Sequence, residues 1–90
     1  MKLLIKYCPI WEGYDTKALE VSKEIKDNLK NVEVEVVEGG KGEFSVIYEN
    51  DPPALLYSTD DKHRLPTDNE IVNMLVSKYK CENRKMDKKL

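Results

Sequence analysis

The apolar positions of this chain change their spacing in a clear order. Lys2-Leu3-Leu4-Ile5-Lys6-Tyr7 is a short apolar run and predicts a core strand. From Asp15 to Leu29 the spacing becomes helical. Ala18, Leu19, Ser22, Ile25 and Leu29 return every three or four residues, with Val21 on the shoulder, while Lys17, Glu20, Lys23, Glu24, Lys26 and Asp27 occupy the other side. That pattern predicts an amphipathic helix laid on a core, with mixed charges not optimised as ion pairs. Val32-Glu33-Val34-Glu35-Val36 alternates strictly, which places the valines on the core and the glutamates in water.

Gly39-Gly40-Lys41-Gly42 predicts a turn free to take positive φ, and Phe44–Tyr48 a third strand after it. Asn50-Asp51-Pro52-Pro53 breaks the chain before a fourth strand, Ala54–Ser58. A polar loop follows, and Thr67-Asp68-Asn69-Glu70 has the form of a capping box that opens a last helix to about Tyr79. Ile71, Val72, Leu75, Val76 and Tyr79 form its apolar stripe, with Met74 at the edge. Cys81 to Leu90 is charged and without period, so the expected organisation is one domain over 1–80 and a disordered tail over 81–90.

The order β-α-β-β-β-α implies a two-layer α/β sandwich, a four-stranded mixed sheet with both helices on one face. The strand-helix-strand unit makes the first two strands parallel, and the tight Pro-Pro turn makes the last two antiparallel. Following the chain direction, Cys8, the Gly39–Gly42 turn and the Ser58–Pro66 loop then share one edge of the sheet.

Composition narrows the class. Ninety residues make one domain, and 40% hydrophobic with 36% charged residues describes a folded soluble chain and excludes a disordered or membrane-spanning one. The start lacks the features of a secretory signal, so a cytoplasmic location is expected. There the two cysteines stay mostly reduced and are read as chemistry, not as a structural bridge. A net charge of −2 gives no strong field for nucleic acid. The basic residues near the end, Lys78, Lys80, Arg84, Lys85, Lys88 and Lys89, read as a solubilising terminus.

The chemistry centres on Cys8-Pro9-Ile10-Trp11, where the first strand hands over to the helix. A strand, Cys-Pro-x-x and a helix is the layout of a thiol redox centre, with the first cysteine exposed at the helix start. Here Trp11 stands where a second thiol would close the disulfide, so dithiol exchange within one motif is excluded. Cys8 is either a reactive single thiol or a small semi-buried residue. Glu12, an anion nearby, opposes thiolate formation. Trp11 is either packing or, with Ile10, Tyr7 and Tyr14, part of an exposed patch that anchors a partner. Cys81 lies beyond a helix of about 14 residues, roughly 20 Å from the site edge, too far to resolve a Cys8 disulfide. His63 and Arg64 lie in the site-edge loop, and no second histidine or cysteine cluster supports a metal site.

Three segments in this order carry a family resemblance: Tyr7-Cys8-Pro9-Ile10-Trp11-Glu12-Gly13-Tyr14, Gly39-Gly40-Lys41-Gly42-Glu43-Phe44-Ser45-Val46, and Leu56-Tyr57-Ser58 leading through Arg64-Leu65-Pro66-Thr67 into the last helix. Over roughly residues 2–76 the chain resembles the selenoprotein W-like proteins, the Rdx group. The resemblance implies a thioredoxin-like fold and thiol redox reactions involving glutathione, with cysteine first in the motif and cysteine or selenocysteine fourth. Cys8 matches the first position; Trp11 departs from the fourth, and Glu12 resembles a one-residue insertion.

Two function classes follow. In the first, Cys8 is a monothiol that accepts glutathione or a partner protein's thiol, with Pro9, Ile10, Trp11, Gly40, Lys41, Gly42, His63 and Arg64 around it. In the second, the chain is a redox-inert binding module that docks a protein through the Trp11 loop. Both are expected to be monomeric, without a resident cofactor or metal, nucleic acid or membrane partner.

Overall fold

The computed structural model describes residues 1–82. The elements are β1 (Lys2–Tyr7), α1 (Tyr14–Asn28), β2 (Glu33–Glu38), β3 (Phe44–Tyr48), β4 (Ala54–Ser58), α2 (Thr59–Lys62) and α3 (Glu70–Tyr79). The strands form one sheet in the order β2-β1-β3-β4. β1 and β2 are parallel with Leu3 beside Val34, and β3 runs antiparallel to both β1 and β4. This is the thioredoxin-like arrangement that the order of elements predicts.

Side-chain parity explains which face is covered. Leu3 and Ile5 of β1, Phe44 and Val46 of β3, and Ala18, Val21, Ile25, Ile71, Val72 and Leu75 of the two long helices are buried in a single cluster, so both helices lie on the same face. Val34 and Val36 pack on that cluster from β2 while Glu33 and Glu35 face solvent. A bulge between Val46 and Ile47 lets β4 bring both Leu56 and Tyr57 to the core side.

Several expectations are corrected. Leu19 is 64% exposed and Val21 takes its place in the core, because the buried stripe of α1 runs through positions 18, 21, 22, 25 and 29 and position 19 lies a full step round the helix from its centre. Ion pairs do form on α1, among them Lys23 with Asp27 at 2.8 Å and Lys17 with Glu20 at 3.8 Å. The Ser58–Pro66 loop contains a helical turn, α2, because the Ser58 hydroxyl accepts the Asp60 amide as an N-cap.

The capping box is one-sided. The Glu70 carboxylate accepts the Thr67 amide at 2.9 Å and the Thr67 hydroxyl at 3.3 Å, but α3 begins only at Glu70, after Asn69 in the left-handed region. Arg64 binds the same carboxylate bidentately, at 2.8 and 3.0 Å. That hydrogen-bonded guanidinium is the largest cause holding the Glu70 carboxyl down at about 2; partial burial opposes it and the Thr67 amide adds to it. A depressed carboxyl stabilises the fold above its unfolded pKa, and this contribution disappears as pH falls from about 4 towards 2. Glu70→Gln is therefore expected to cost about 1–2 kcal/mol at neutral pH, discounted for the half-exposed Arg64, and much less at about pH 2. Urea unfolding at both pH values checks this; an equal loss at both would contradict it.

Cys81 is half-buried against the core, with its Sγ 3.5 Å from the Met1 sulfur, and the Glu82 carbonyl accepts the Lys30 amide. These two residues thus pack at the end of the sheet where β1 starts. The rest of the expected tail, 83–90, lies outside the described residues. No helix among the described residues is long and apolar enough to cross a membrane.

Candidate functional site

The sheet's hydrogen bonding continues past the end of β1 and fixes Cys8. Its amide donates to the Glu43 carbonyl at 2.7 Å, and the Gly39 amide donates to the Tyr7 carbonyl at 2.7 Å. The β2–β3 turn is thereby wrapped around the cysteine. A Cβ at Gly39 would stand 2.6 Å from the Glu43 carboxylate and 3.1 Å from the Lys6 Cβ, so a side chain there would displace that carboxylate. That carboxylate accepts the Gly40 amide at 2.7 Å and the Ser45 hydroxyl at 3.0 Å. The Gly40 bond is the main cause that lowers its pKa, against partial burial. Of the turn glycines only Gly42 has positive φ, at 74°.

Cys8 itself is fully buried. Its expected position at the helix start is corrected: α1 begins at Tyr14, and Cys8 lies at the head of a loop that ends at Gly13, whose φ of 88° redirects the chain into the helix. Groups other than a helix start set the balance at the thiol. Burial is the largest single influence and pushes its pKa up. The backbone amides of Gly42, Trp11 and Ile10, with the charge of Lys41, together outweigh it and leave the thiol below its ordinary value. The Trp11 amide points at Sγ from 3.3 Å. Lys41 thus supplies the charge that bears on the sulfur, a role the sequence reading did not give it.

Trp11 covers this arrangement. Its ring lies across Gly42 so closely that a Cβ there would meet three indole carbons at 3.0–3.3 Å, and it packs edge-on against Tyr14 with centroids 5.5 Å apart. Tyr14 contacts Phe44, and Phe44 contacts Tyr57, each at 6.4 Å, so an aromatic series runs from the surface into the core. Tyr7 and Tyr14 are part-buried members of the core, which reduces the expected aromatic patch to Ile10, 73% exposed, and Trp11, 46% exposed.

Beside Trp11 opens a cavity of about 330 Å³, lined by Trp11, Tyr14, Lys41, Gly42, Thr59, Asp60, His63 and Arg64. The expected edge is therefore real in space: residues from the motif, the turn and the site-edge loop meet here. Pro9 and Ile10 are exposed on the loop outside this lining, and Gly40 acts through its bond to Glu43. Arg64 is committed to Glu70 and lies near the Tyr57 hydroxyl, which donates to the Arg64 carbonyl. Thr59 and Asp60 were missed by sequence reasoning. The Thr59 hydroxyl donates to the Gly42 carbonyl and accepts the Phe44 amide, pinning the turn to β4; the signal was the Ser58-Thr59-Asp60-Asp61 capping pattern. A larger groove of about 500 Å³ lies along α1 among Glu20, Glu24, Asp27 and Asp68, away from Cys8. Among the described residues no group of three or more His, Cys, Asp or Glu side chains is placed to hold a metal ion.

A thioredoxin-like domain with a cysteine at the head of the loop after β1, held among backbone amides, is the frame of a thiol redox-related protein. The Rdx family model matches residues 2–77, and the chain belongs to the Rdx family. No curated protein and no solved structure matches it.

Proposed function

We propose that this chain is a selenoprotein W-like monothiol protein in which Cys8 exchanges with glutathione or with a thiol of a partner protein. The Cys8 thiolate attacks one sulfur of oxidised glutathione, the S–S bond breaks, a Cys8–glutathione disulfide forms and one glutathione thiolate leaves. Trp11 occupies the position of the family's second redox residue, so a thiol from outside the motif must resolve the mixed disulfide. Cys81 is separated from Cys8 by the length of β1, about 20 Å.

The observation that carries this reading is the set of donors at the Cys8 sulfur, which favours the thiolate despite burial. Because the residue is fully covered, exchange requires the Ile10–Trp11 loop to open. Incubation with oxidised glutathione and peptide mass mapping is expected to find glutathione on Cys8 well before Cys81, whose thiol burial pushes up. Equal, slow labelling of both would remove the redox reading.

A second reading is favoured by one observation: Ile10 and Trp11 are exposed while the thiol is not. In that case the loop is a docking tip for a protein partner and Cys8 is a packing residue.

A further inference from the structure

The cavity beside Trp11 holds charges of both signs that no ion pair among the described residues takes up. Lys41 and Asp60 both line it, and among the described residues neither has an ion-pair partner, nor do they bridge each other. Arg64, the other cation of the lining, is neutralised by Glu70. A simple anion entering would meet Asp60, and a simple cation would meet Lys41. A zwitterion satisfies both, with its carboxylate towards Lys41 and its ammonium towards Asp60. The rest of the wall is mixed: Thr59 and His63 add polar groups, and the Trp11 and Tyr14 rings give one aromatic stretch, which suits a methylene or thioether segment. At about 330 Å³ the space suits an amino acid derivative or a short peptide.

Position gives this chemistry its sense. Gly42 and Trp11 are part of the cavity wall, and the amides of the same two residues act on the Cys8 sulfur. We propose that this cavity binds the aminocarboxylate group of a small thiol compound, with Lys41 and Asp60 as the recognising pair. The proposal rests on the monothiol reading for its purpose, but the binding itself does not require a reactive Cys8.

Capped probes separate the two. S-Methylcysteine carries both charges, 3-(methylthio)propionate only the carboxylate and 2-(methylthio)ethylamine only the ammonium, and none can exchange with a thiol. Titrated into the wild-type protein, S-methylcysteine is expected to change the fluorescence of the chain's single tryptophan saturably, and to shift the His63 ring signals in NMR spectra. The two singly charged probes should bind about tenfold more weakly or worse, and Lys41→Gln and Asp60→Asn should each weaken S-methylcysteine by about tenfold while leaving the unfolding midpoint unchanged. Absence of response to all three probes, equal binding of all three, or unaltered binding by both variants would overturn the proposal. Selective binding together with an inert Cys8 would instead leave the site standing and sink the monothiol reading.

Discussion

Trp11→Ala is expected to accelerate modification of Cys8 by a small alkylating agent by roughly tenfold or more, as about 1.4 kcal/mol less cover converts to a tenfold rate. Cys8 is fully buried, so it reacts only from conformations in which its cover has moved. The Trp11 ring, next to the cysteine in the loop, rests on a residue without a side chain and meets Tyr14 in a T-shaped contact. Removing the ring removes those contacts in the closed state only. Because the indole is 46% exposed, the variant should lose only about 1–2 kcal/mol of stability. Stopped alkylation with peptide mapping measures the rate, and Cys81 serves as internal reference. An unchanged Cys8 rate would mean that the thiol is covered by the turn and not by the tryptophan.

Phe44→Ala is expected to have the largest effect on stability, a loss of about 3–5 kcal/mol. The ring is fully buried at the centre of the aromatic series between Tyr14 and Tyr57, and nothing smaller fills that volume. A domain of this size has roughly 5–15 kcal/mol in total, so the loss removes a large share of the margin, and nearly all of it at the low end of that range. Phe44→Leu keeps most of the volume and should lose much less. Urea unfolding of the pair checks this. A loss below about 1 kcal/mol for the alanine variant would contradict the central place given to this ring.

The strands were legible because a period of two is hard to produce by accident, as in Val32–Val36, and because glycine and proline clusters marked their ends. Topology followed from connection rules, and with it the meeting of Cys8, the Gly39–Gly42 turn and the His63–Arg64 segment at one edge. Other features depend on contacts between residues far apart in sequence. The burial of Cys8 and the seat of the Trp11 ring on Gly42 both depend on such contacts, and no local pattern encodes them. The order strand-Cys-Pro-helix suggests a cysteine at a helix start, but α1 begins only at Tyr14. The intervening loop instead puts the amides of Gly42, Trp11 and Ile10 at the sulfur. Arg64 was read as a site residue from its place in the loop, but a carboxylate six residues on binds its guanidinium and turns it into the clasp that holds the start of α3.

The most direct test of the account is the rate at which each cysteine of the wild-type protein forms a mixed disulfide with oxidised glutathione, followed against pH. The account predicts that Cys8 reacts faster than Cys81 at neutral pH. Its rate should level off at a lower pH than that of a free cysteine, because its thiol is held below the ordinary value, while the Cys81 rate is still rising there. A Cys8 rate at or below that of Cys81, rising only at alkaline pH, would contradict it.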